Sequence, residues 1–454
     1  MVAALGPALA GQAGTWVASA ITEGDRVAAR RDARSRRLRT VELAQGSVRL
    51  RSLSFDPREY HNYYNRVSNR TVWFLHHYLF DVPRHPRFDH SFRVAWQHYV
   101  GVNRAFAAAC DDEADRGAEV FLQDYHLALA PAVLRERRPD LRIAHFTHCP
   151  WSDPGYFLML PGRVAGALLE GMLGADLLGF LVPRWARNFL HCCLDAGYRV
   201  DFDRHTVRAA DGRRVQVRAY PLGVDGEALR ERAAQGDARA QDRVVAELAR
   251  GRSLIVRVDR MELSKNILRG LEGYGTYLER NPRMRGRVVH HALTYPTRRD
   301  LPEYQAYTAE VRHMADSINE RFRTRTWEPV VLELRDNYAR ALAAMAAADV
   351  LVVNPIWDGM NLVAKEGPSV SRRDLVLVLS RNAGAADDLG EGALLVNPFD
   401  TAELAETIAT ALEMAPDERA KRAALLRDGA TALPPQEWFL LQREQLARGA
   451  QTPG

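Results

Sequence analysis

The stretch Val256-Arg257-Val258-Asp259-Arg260-Met261-Glu262-Leu263-Ser264-Lys265-Asn266 decides the fold class. The run 254–258, which overlaps the start of this stretch, predicts a buried strand, and two cations five residues apart follow where that strand ends. Apolar residues then recur at positions 267, 271, 274 and 278, which is the spacing of one helix face. A strand, a turn and an amphipathic helix in this order form the repeating unit of a parallel α/β sheet.

The same alternation recurs along the chain. Short apolar runs, each followed by a polar or Gly/Pro-rich turn and then by helical periodicity, predict further buried strands. These runs are 118–122, 142–147, 287–293, 350–353, 375–379 and 393–396. Between residues 200 and 220 the pattern changes to alternation around Asp211-Gly212, which predicts a β-hairpin.

A domain boundary is predicted just after residues 221–224, because a charged helical segment follows and a fresh βα series begins at Leu254. The predicted organisation is two Rossmann-like, doubly wound domains, 1–224 and 225–432, facing a central cleft. Residues 433–454 are expected to form a C-terminal helix that crosses back to the first domain. Doubly wound sheets bind ligands at the carboxyl ends of their strands, so the site is expected there.

Composition excludes several classes of protein. The 454 residues carry 62 basic and 57 acidic side chains, a formal net charge of +5 that requires no polyanionic partner. The arginine-rich run 26–39 is interleaved with Asp and Ala and is read as a solvated helix face rather than a nucleic-acid site. Only Lys265, Lys365 and Lys421 are lysines, which draws attention to the places where lysine persists.

No membrane or secreted character is predicted. No apolar run reaches the roughly 18 to 20 residues of a membrane helix, and the apolar start has no basic segment typical of a signal peptide. Four cysteines do not make a disulfide framework in a chain of this length, and no Cys/His spacing indicates zinc. We therefore expect a cytoplasmic protein with reduced thiols and no metal.

Arg260 and Lys265 are expected to converge beside a helix N-terminus, which itself favours negative charge. A planar guanidinium fork and a compact ammonium together suit a diphosphate. The alternative is that both are ordinary surface cations.

A second strand, loop and helix spans residues 352–366. The helix is expected to start near Asn361, so that free N–H groups of residues 361–363 could bind phosphate or sugar oxygens. Asp358 in the loop could accept hydrogen bonds from sugar hydroxyls, and Glu366, one turn into the helix, could bind a ribose diol. The alternatives are a plain turn at Asp358-Gly359 and a surface acid at Glu366.

The first half of the chain offers polar residues at two strand ends, Asp124 after 118–122 and His148 after 142–147. Tyr64 and Trp73 could add stacking surface, although packing in the core is the ordinary role of such residues. Arg298 follows the strand 287–293 and adds a cation at the carboxyl edge. Asp201-Phe202-Asp203 leads into the predicted hairpin and is not interpreted as a metal-binding DxD motif.

Five motifs together resemble the trehalose-6-phosphate synthases, a family of retaining GT-B glycosyltransferases (family 20). The motifs are Asp-Tyr-His-Leu (124–127), His-Cys-Pro-Trp (148–151), Val-Asp-Arg-x3-Ser-Lys (258–265), Pro-Thr-Arg-Arg-Asp (296–300) and Asp-Gly-Met-Asn-Leu-Val-Ala-Lys-Glu (358–366). Their order and spacing agree with the family over roughly residues 3 to 415. The nine-residue string is the specific one.

The resemblance implies transfer of glucose from UDP- or GDP-glucose to the anomeric hydroxyl of glucose 6-phosphate, giving α,α-trehalose 6-phosphate without a metal or other cofactor. The first domain would bind the acceptor and the second the nucleotide sugar. The implied catalytic residues are His148, Asp124, Arg260 and Lys265. The implied donor-binding residues are Arg260, Lys265, Asp358, Asn361, Leu362, Val363, Ala364, Lys365 and Glu366. The implied acceptor-binding residues are Tyr64, Trp73, Asp124 and Arg298, with Arg298 near the acceptor phosphate.

The chain departs from the family pattern at three places. It begins inside the helix that follows the family's first strand, so this strand and its Gly-Gly-Leu loop are expected to be missing. Residues 16–20 read Trp-Val-Ala-Ser-Ala where the family has Phe-Gly-Trp-Ser-Gly, and Cys149 replaces the usual isoleucine. The last two departures concern the acceptor more than the donor.

Two alternatives therefore stay open. One is a related synthase with another acceptor, such as a glucosylglycerol-phosphate synthase or an enzyme like validoxylamine 7′-phosphate synthase that joins cyclitols. The other is an inactive homologue that binds without turnover. The base of the donor and the oligomeric state, including a homo-oligomer, are also left open.

Overall fold

The computed structural model describes residues 14–35, 38–43 and 46–449, which form two compact units. The first unit contains the chain up to Pro221 and again from Pro435 onward. The second unit spans Leu222–Pro434. None of the described helices has the length and apolar character that a bilayer crossing requires. None of the four cysteines, all within the described ranges, forms a disulfide.

The described part of the first unit contains a small sheet, a larger sheet and the helices around them. Its strands are β1 Thr15–Ser19, β2 Arg39–Leu43, β3 Gly46–Leu53, β4 Glu119–Gln123, β5 Arg142–Thr147, β6 Leu177–Phe180, β7 Arg199–Asp201, β8 Thr206–Arg208 and β9 Arg214–Ala219. Its α-helices are Glu23–Ser35, Pro57–His61, Trp73–His76, His90–Glu113, Ala130–Arg137, Pro154–Phe157, Gly162–Leu173, Pro183–Asp195 and Pro435–Gly449, with a π-helix at Asn62–Val72 and a 3-10 turn at Tyr125–Leu127.

Parallel pairing of β4 with β5 in the first unit places the ends of these two predicted strands side by side. Strands β4, β5, β6 and β9 run parallel, and β7 and β8 continue the sheet in antiparallel pairing. In the small sheet β3 lies between β1 and β2. Trp438 of the helix Pro435–Gly449 is fully buried and donates from its indole nitrogen to the carbonyl of Tyr220 at 3.0 Å, which ties this helix to the large sheet.

The second unit is built on one fully parallel sheet. Its strands are β10 Ser253–Met261, β11 Val288–Pro296, β12 Val330–Leu334, β13 Val350–Val353, β14 Val376–Ser380 and β15 Leu394–Val396. Its α-helices are Gly226–Ala233, Gly236–Ala249, Ile267–Arg280, Pro302–Phe322, Tyr338–Ala347, Val363–Val370, Ala385–Leu389, Thr401–Glu413 and Pro416–Thr431, with 3-10 turns at Leu263–Lys265 and Pro282–Met284.

The strand order β12-β11-β10-β13-β14-β15 is the doubly wound order 3-2-1-4-5-6 counted from β10. Most residues of these strands are apolar because helices cover both faces of the sheet, and residues such as Ile255, Val350 and Val376 are fully buried. The strand order reverses between β10 and β13, which is where doubly wound sheets open a crevice for ligands.

All seven predicted strands are present, and 142–147 and 350–353 have the predicted bounds. The hairpin is confirmed by the antiparallel pairing of β8 with β9 around Gly212, whose φ of +88° suits glycine. Strands β6 and β12 and the small sheet were not predicted. The stretch 16–20 falls largely in β1. The expectation that the chain begins inside a helix, at residues 2–6, lies outside the described ranges.

Candidate functional site

The predicted anion site lies at the carboxyl ends of β10 and β13, at the reversal of strand order. Lys265 Nζ lies 2.6 Å from Asp358 Oδ2, and both side chains are largely buried. Asn361 donates from its side-chain amide to the same carboxylate oxygen at 3.1 Å. The two polar segments that follow β10 and β13 therefore meet, as their positions in the sequence predicted.

Lys265 stays charged at neutral pH. Burial disfavours its ammonium, but the carboxylates of Asp358 and Asp259 outweigh this effect and raise its pKa. The positive charge of Arg260 acts in the opposite direction, so Arg260 is a close electrostatic neighbour. Burial also raises the pKa of Asp259 to about 6. Arg260, in β10, and Lys265, in the 3-10 turn that follows, thus influence each other electrostatically within the second unit.

A buried hydrogen-bond network fixes the turn that carries Lys265. The fully buried guanidinium of Arg257 donates to the carbonyl of Lys265 at 3.1 Å and also bonds the side chain of Asn354. Asn266, in the left-handed region at φ +58°, donates to the carbonyls of Asn354 (3.0 Å) and Pro398 (2.7 Å). These contacts hold the turn against the start of the 354–358 loop.

Glu262 links two of the predicted cations. Its carboxylate is fully buried, and atom Oε1 lies 3.0 Å from Arg260 Nη1 and 3.2 Å from Arg298 Nη1. Arg298 also bonds the hydroxyl of Tyr304, and its guanidinium lies 5.4 Å from the centre of that ring. The structure therefore groups Arg298 with the predicted donor residues in the second unit.

The helix predicted to start near Asn361 begins two residues later. It spans Val363–Val370, with Leu362 at its N-cap. Asn361 adopts φ +76°, which turns the chain into this helix. Ala364 is fully buried, and Leu362 and Val363 are partly buried. Burial raises the pKa of Glu366, a partly exposed acid one turn into the helix.

Lys365 stands apart from this group. Its amine donates to the carbonyl of Leu222 at 2.9 Å and to Asp388 Oδ2 at 2.5 Å, and the side chain is 1% exposed. The arrangement gives its side chain a structural role in the second unit and offers no support for the predicted contact with a donor.

Replacing Lys365 by methionine is therefore expected to act on stability. Breaking a buried pair leaves the carboxylate of Asp388 and the carbonyl of Leu222 without this donor, which costs about 3 kcal/mol of unfolding free energy. The loss of nucleotide affinity should be small beside that caused by Lys265→Ala. Urea unfolding and calorimetric titration with UDP measure the two effects. A large loss of affinity with unchanged stability would assign the Lys365 side chain to the donor site.

In the first unit Asp124 and His148 meet at the carboxyl ends of β4 and β5. The backbone N–H of His148 donates to Asp124 Oδ1 at 3.1 Å, and His148 Nε2 lies 2.8 Å from Gln123 Oε1. Asp124 adopts φ +70°, an uncommon conformation that is enriched at functional sites. Burial lowers the pKa of His148 to about 3, so its ring is neutral at physiological pH.

Tyr64 and Trp73 lie near these strand ends. The Tyr64 ring stacks on His126 with centroids 5.3 Å apart, and Trp73 stacks on His77 at 3.6 Å. Tyr64 belongs to the π-helix Asn62–Val72, a rare conformation often associated with functional sites. The hydroxyl of Tyr125 donates to Asn69 Oδ1 at 3.1 Å, which connects this helix to the Asp-Tyr-His turn.

Sequence reasoning missed three residues of these sites. Gln123 directly precedes Asp124, and its position at the end of a strand was a usable signal. Glu262 lies between the two cations of one motif, but its contact with Arg298 joins residues far apart in sequence. Tyr304, in the helix Pro302–Phe322, gave no signal of its own. Among the described residues, no group of three or more His, Cys, Asp or Glu side chains could hold a metal ion.

Comparison with known proteins identifies related sequences over nearly the whole chain. The family model described as Glycosyltransferase family 20 matches residues 1–448. A trehalose-6-phosphate synthase from Mycolicibacterium paratuberculosis is 35% identical, over 96% of this chain and 87% of that protein. A validamine 7-phosphate valienyltransferase from Streptomyces hygroscopicus subsp. jinggangensis is 33% identical, over 97% and 88% respectively.

Among solved structures, the trehalose-6-phosphate protein from E. coli bound with UDP-2-fluoro glucose is similar, with a TM-score of 0.85. The two sequences are 27% identical, and the match covers 99% of this chain and 95% of that one. The α/β fold class with parallel sheets is thus confirmed.

Proposed function

The chain belongs to glycosyltransferase family 20, and from that premise we propose that it transfers glucose with retention from a nucleotide-glucose to glucose 6-phosphate, forming α,α-trehalose 6-phosphate. The observation that carries this proposal is the group of Arg260, Lys265 and Asp358 at the strand-order reversal of the second unit. A cationic group at this place in a doubly wound sheet suits the diphosphate of a nucleotide sugar.

On the donor side, we assign Arg260 and Lys265 to the diphosphate. Asp358 is held by Lys265 and Asn361, so its carboxylate is already oriented to accept hydrogen bonds from the glucose hydroxyls. Glu366 is assigned to the ribose diol. The N–H groups of Ala364, Lys365 and Glu366 already bond to Asn361 and Leu362, so we assign the N–H groups of residues 361–363, ahead of them, to phosphate or sugar oxygens.

On the acceptor side, we assign Asp124, Tyr64 and Trp73 to glucose 6-phosphate, and Arg298 to its phosphate. The carboxylate of Asp124 can accept hydrogen bonds from the acceptor sugar, and the aromatic rings give it an apolar surface. Since His148 is neutral and its Nε2 faces Gln123, it serves as a hydrogen-bonding group beside the reacting centre rather than as a cation.

The proposed step breaks the bond between C1 of glucose and the diphosphate oxygen and forms a bond from C1 to the anomeric oxygen of glucose 6-phosphate. The proton of the acceptor hydroxyl passes to the departing diphosphate. Negative charge grows on that diphosphate, so two cations and helix N–H groups placed beforehand stabilise the transition state. Little separate acid–base machinery is needed, which agrees with a neutral His148.

A product assay tests this function. The purified chain is incubated with glucose 6-phosphate and either UDP-glucose or GDP-glucose, and the disaccharide phosphate is identified by NMR, which also reports its anomeric configuration. We expect α,α-trehalose 6-phosphate, and the relative rates reveal the preferred base. Nucleotide-glucose binding without any turnover would instead indicate an inactive homologue.

A second candidate is a related synthase with another acceptor. This candidate is supported by the 33% identity to a validamine 7-phosphate valienyltransferase over 97% of the chain. The same assay with validamine 7-phosphate or glycerol phosphate as acceptor separates the two. Turnover with one of these, and none with glucose 6-phosphate, would replace the proposed acceptor while leaving the donor assignment intact.

A further inference from the structure

The carboxylate of Glu262 lies among the cations that the proposed function assigns to the two substrates. It is fully buried, whereas the side chains of Arg260 and Arg298 are 37% and 8% exposed. Both guanidinium groups contact the same oxygen atom, Oε1, within 3.2 Å. Neither carboxylate oxygen accepts a hydrogen bond of good geometry from the described residues, so the two ion pairs are its main contacts.

A negative charge at this place weakens the binding of anions. Its own field opposes a diphosphate at Arg260 and a phosphate at Arg298, and in a buried site that opposition is screened little. Burying a carboxylate is also costly unless cations compensate it. Affinity for the substrates therefore does not explain Glu262, and its position between the two guanidinium groups requires another explanation.

We propose that Glu262 is a positioning residue that fixes Arg260 and Arg298 together, so that the donor diphosphate and the acceptor phosphate are held in one geometry. Without it, two like charges repel each other and each guanidinium becomes free to follow its own ligand. This inference rests on the proposed function, because it takes the roles of Arg260 and Arg298 from there.

The backbone places Glu262 for this task. The N–H of Glu262 bonds the carbonyl of Arg260 at 2.8 Å, and the N–H of Lys265 bonds the carbonyl of Glu262 at 3.0 Å. Arg298 comes from the loop after β11, the strand that pairs with β10. Its φ of +48° and its bond to Tyr304 turn the guanidinium toward Glu262. One side chain thus connects two loops that carry different substrate contacts.

The test is Glu262→Gln, with Glu262→Asp as the charged variant and Glu272→Gln as the matched control. Glu272 is an exposed acid on the helix Ile267–Arg280, so its replacement changes the net charge equally. Calorimetry gives the dissociation constants for UDP and inorganic phosphate, and steady-state kinetics gives kcat. For Glu262→Gln we expect kcat to fall about 10- to 100-fold, since small misplacements near reacting groups cost this much.

Affinity should move in the opposite direction. Removing the negative charge should tighten the binding of both UDP and phosphate by about two- to tenfold, since one nearby charge changes an ionic affinity by this order. Glu262→Asp should keep wild-type affinities and recover part of kcat. A merely structural role would weaken both ligands and lower the melting temperature instead. That result, or an unchanged kcat in Glu262→Gln, would overturn the proposal.

The proposal can still be tested if Glu262→Gln does not fold or if the wild-type chain is inactive. If Glu262→Gln does not fold, Glu262→Asp decides: unchanged affinities with a kcat lowered about tenfold support positioning, and weakened affinities overturn it. If the wild-type chain makes no sugar product, the proposed function fails, but the binding experiments remain interpretable. Tighter binding of both anions to Glu262→Gln would then still show that Glu262 opposes both sites.

Discussion

Replacement of Lys265 by alanine is expected to lower kcat/KM for the proposed glucosyl transfer by about 30- to 1000-fold, equivalent to about 2 to 4 kcal/mol of transition-state stabilisation. The ammonium is buried, lies 2.6 Å from Asp358 and keeps its charge. In such a site it acts on the charge that grows on the leaving diphosphate with little screening by water. Replacement of Arg260 by alanine should have an effect of the same size. Steady-state kinetics with saturating glucose 6-phosphate measures both.

The matched control for Lys265→Ala is Lys421→Ala, because Lys421 is an exposed lysine on the helix Pro416–Thr431 of the same unit. Its removal should leave the kinetics unchanged. Since Lys265 also holds Asp358, the melting temperature of Lys265→Ala must be measured to separate lost catalysis from lost folding. Folded protein whose turnover and nucleotide affinity both change less than about threefold would contradict the assignment of Lys265 to the diphosphate.

Replacement of Gly384 by alanine is expected to disrupt the loop that carries Asp358. A Cβ atom at Gly384 would lie 1.9 Å from the carbonyl oxygen of Gly359, which is backbone and cannot turn aside. The φ of −59° at Gly384 suits alanine, so the effect arises from space alone. We expect a loss of about 1 to 3 kcal/mol of unfolding free energy. The displaced Asp358 should also lower kcat about 100-fold.

Gly236→Ala is the control for this change. Gly236 begins the helix Gly236–Ala249, and a Cβ there meets nothing within 4 Å. This variant should be as stable as the wild type, or more stable by about 0.5 kcal/mol, with unchanged turnover. Urea unfolding and the product assay compare the two. Wild-type turnover in Gly384→Ala would show that the loop adapts and that the position of Asp358 matters little.

The sequence was sufficient for the α/β class because the strands of the second unit are short apolar runs separated by clear turns. Strand β6 was missed for the opposite reason. It follows the apolar helix Gly162–Leu173 after only three residues, so periodicity alone does not separate strand from helix. The π-helix Asn62–Val72 was also unpredictable, because its hydrogen bonds from residue i to i−5 leave no distinct spacing of apolar residues.

At the site, residues that follow strand ends could be predicted and side-chain partners could not. Lys265 and Asp358 were expected near one edge because parallel strands end together. The partner of Lys365 was not expected. Asp358 and Lys365 belong to the same nine-residue string, but Asp358 bonds Lys265 at the site whereas Lys365 bonds Asp388. Likewise the contact of Glu262 with Arg298 depends on the path of a loop after β11, which no local pattern encodes.

The scarcity of lysine has a practical consequence for chemical labelling. The side chains of Lys265 and Lys365 are 12% and 1% exposed and each is bound to a carboxylate, whereas Lys421 is exposed. An amine-reactive dye should therefore modify Lys421 first among the lysines, with no engineered tag. Slower modification of Lys265, and its protection by nucleotide, would then report occupancy of the donor site by mass spectrometry.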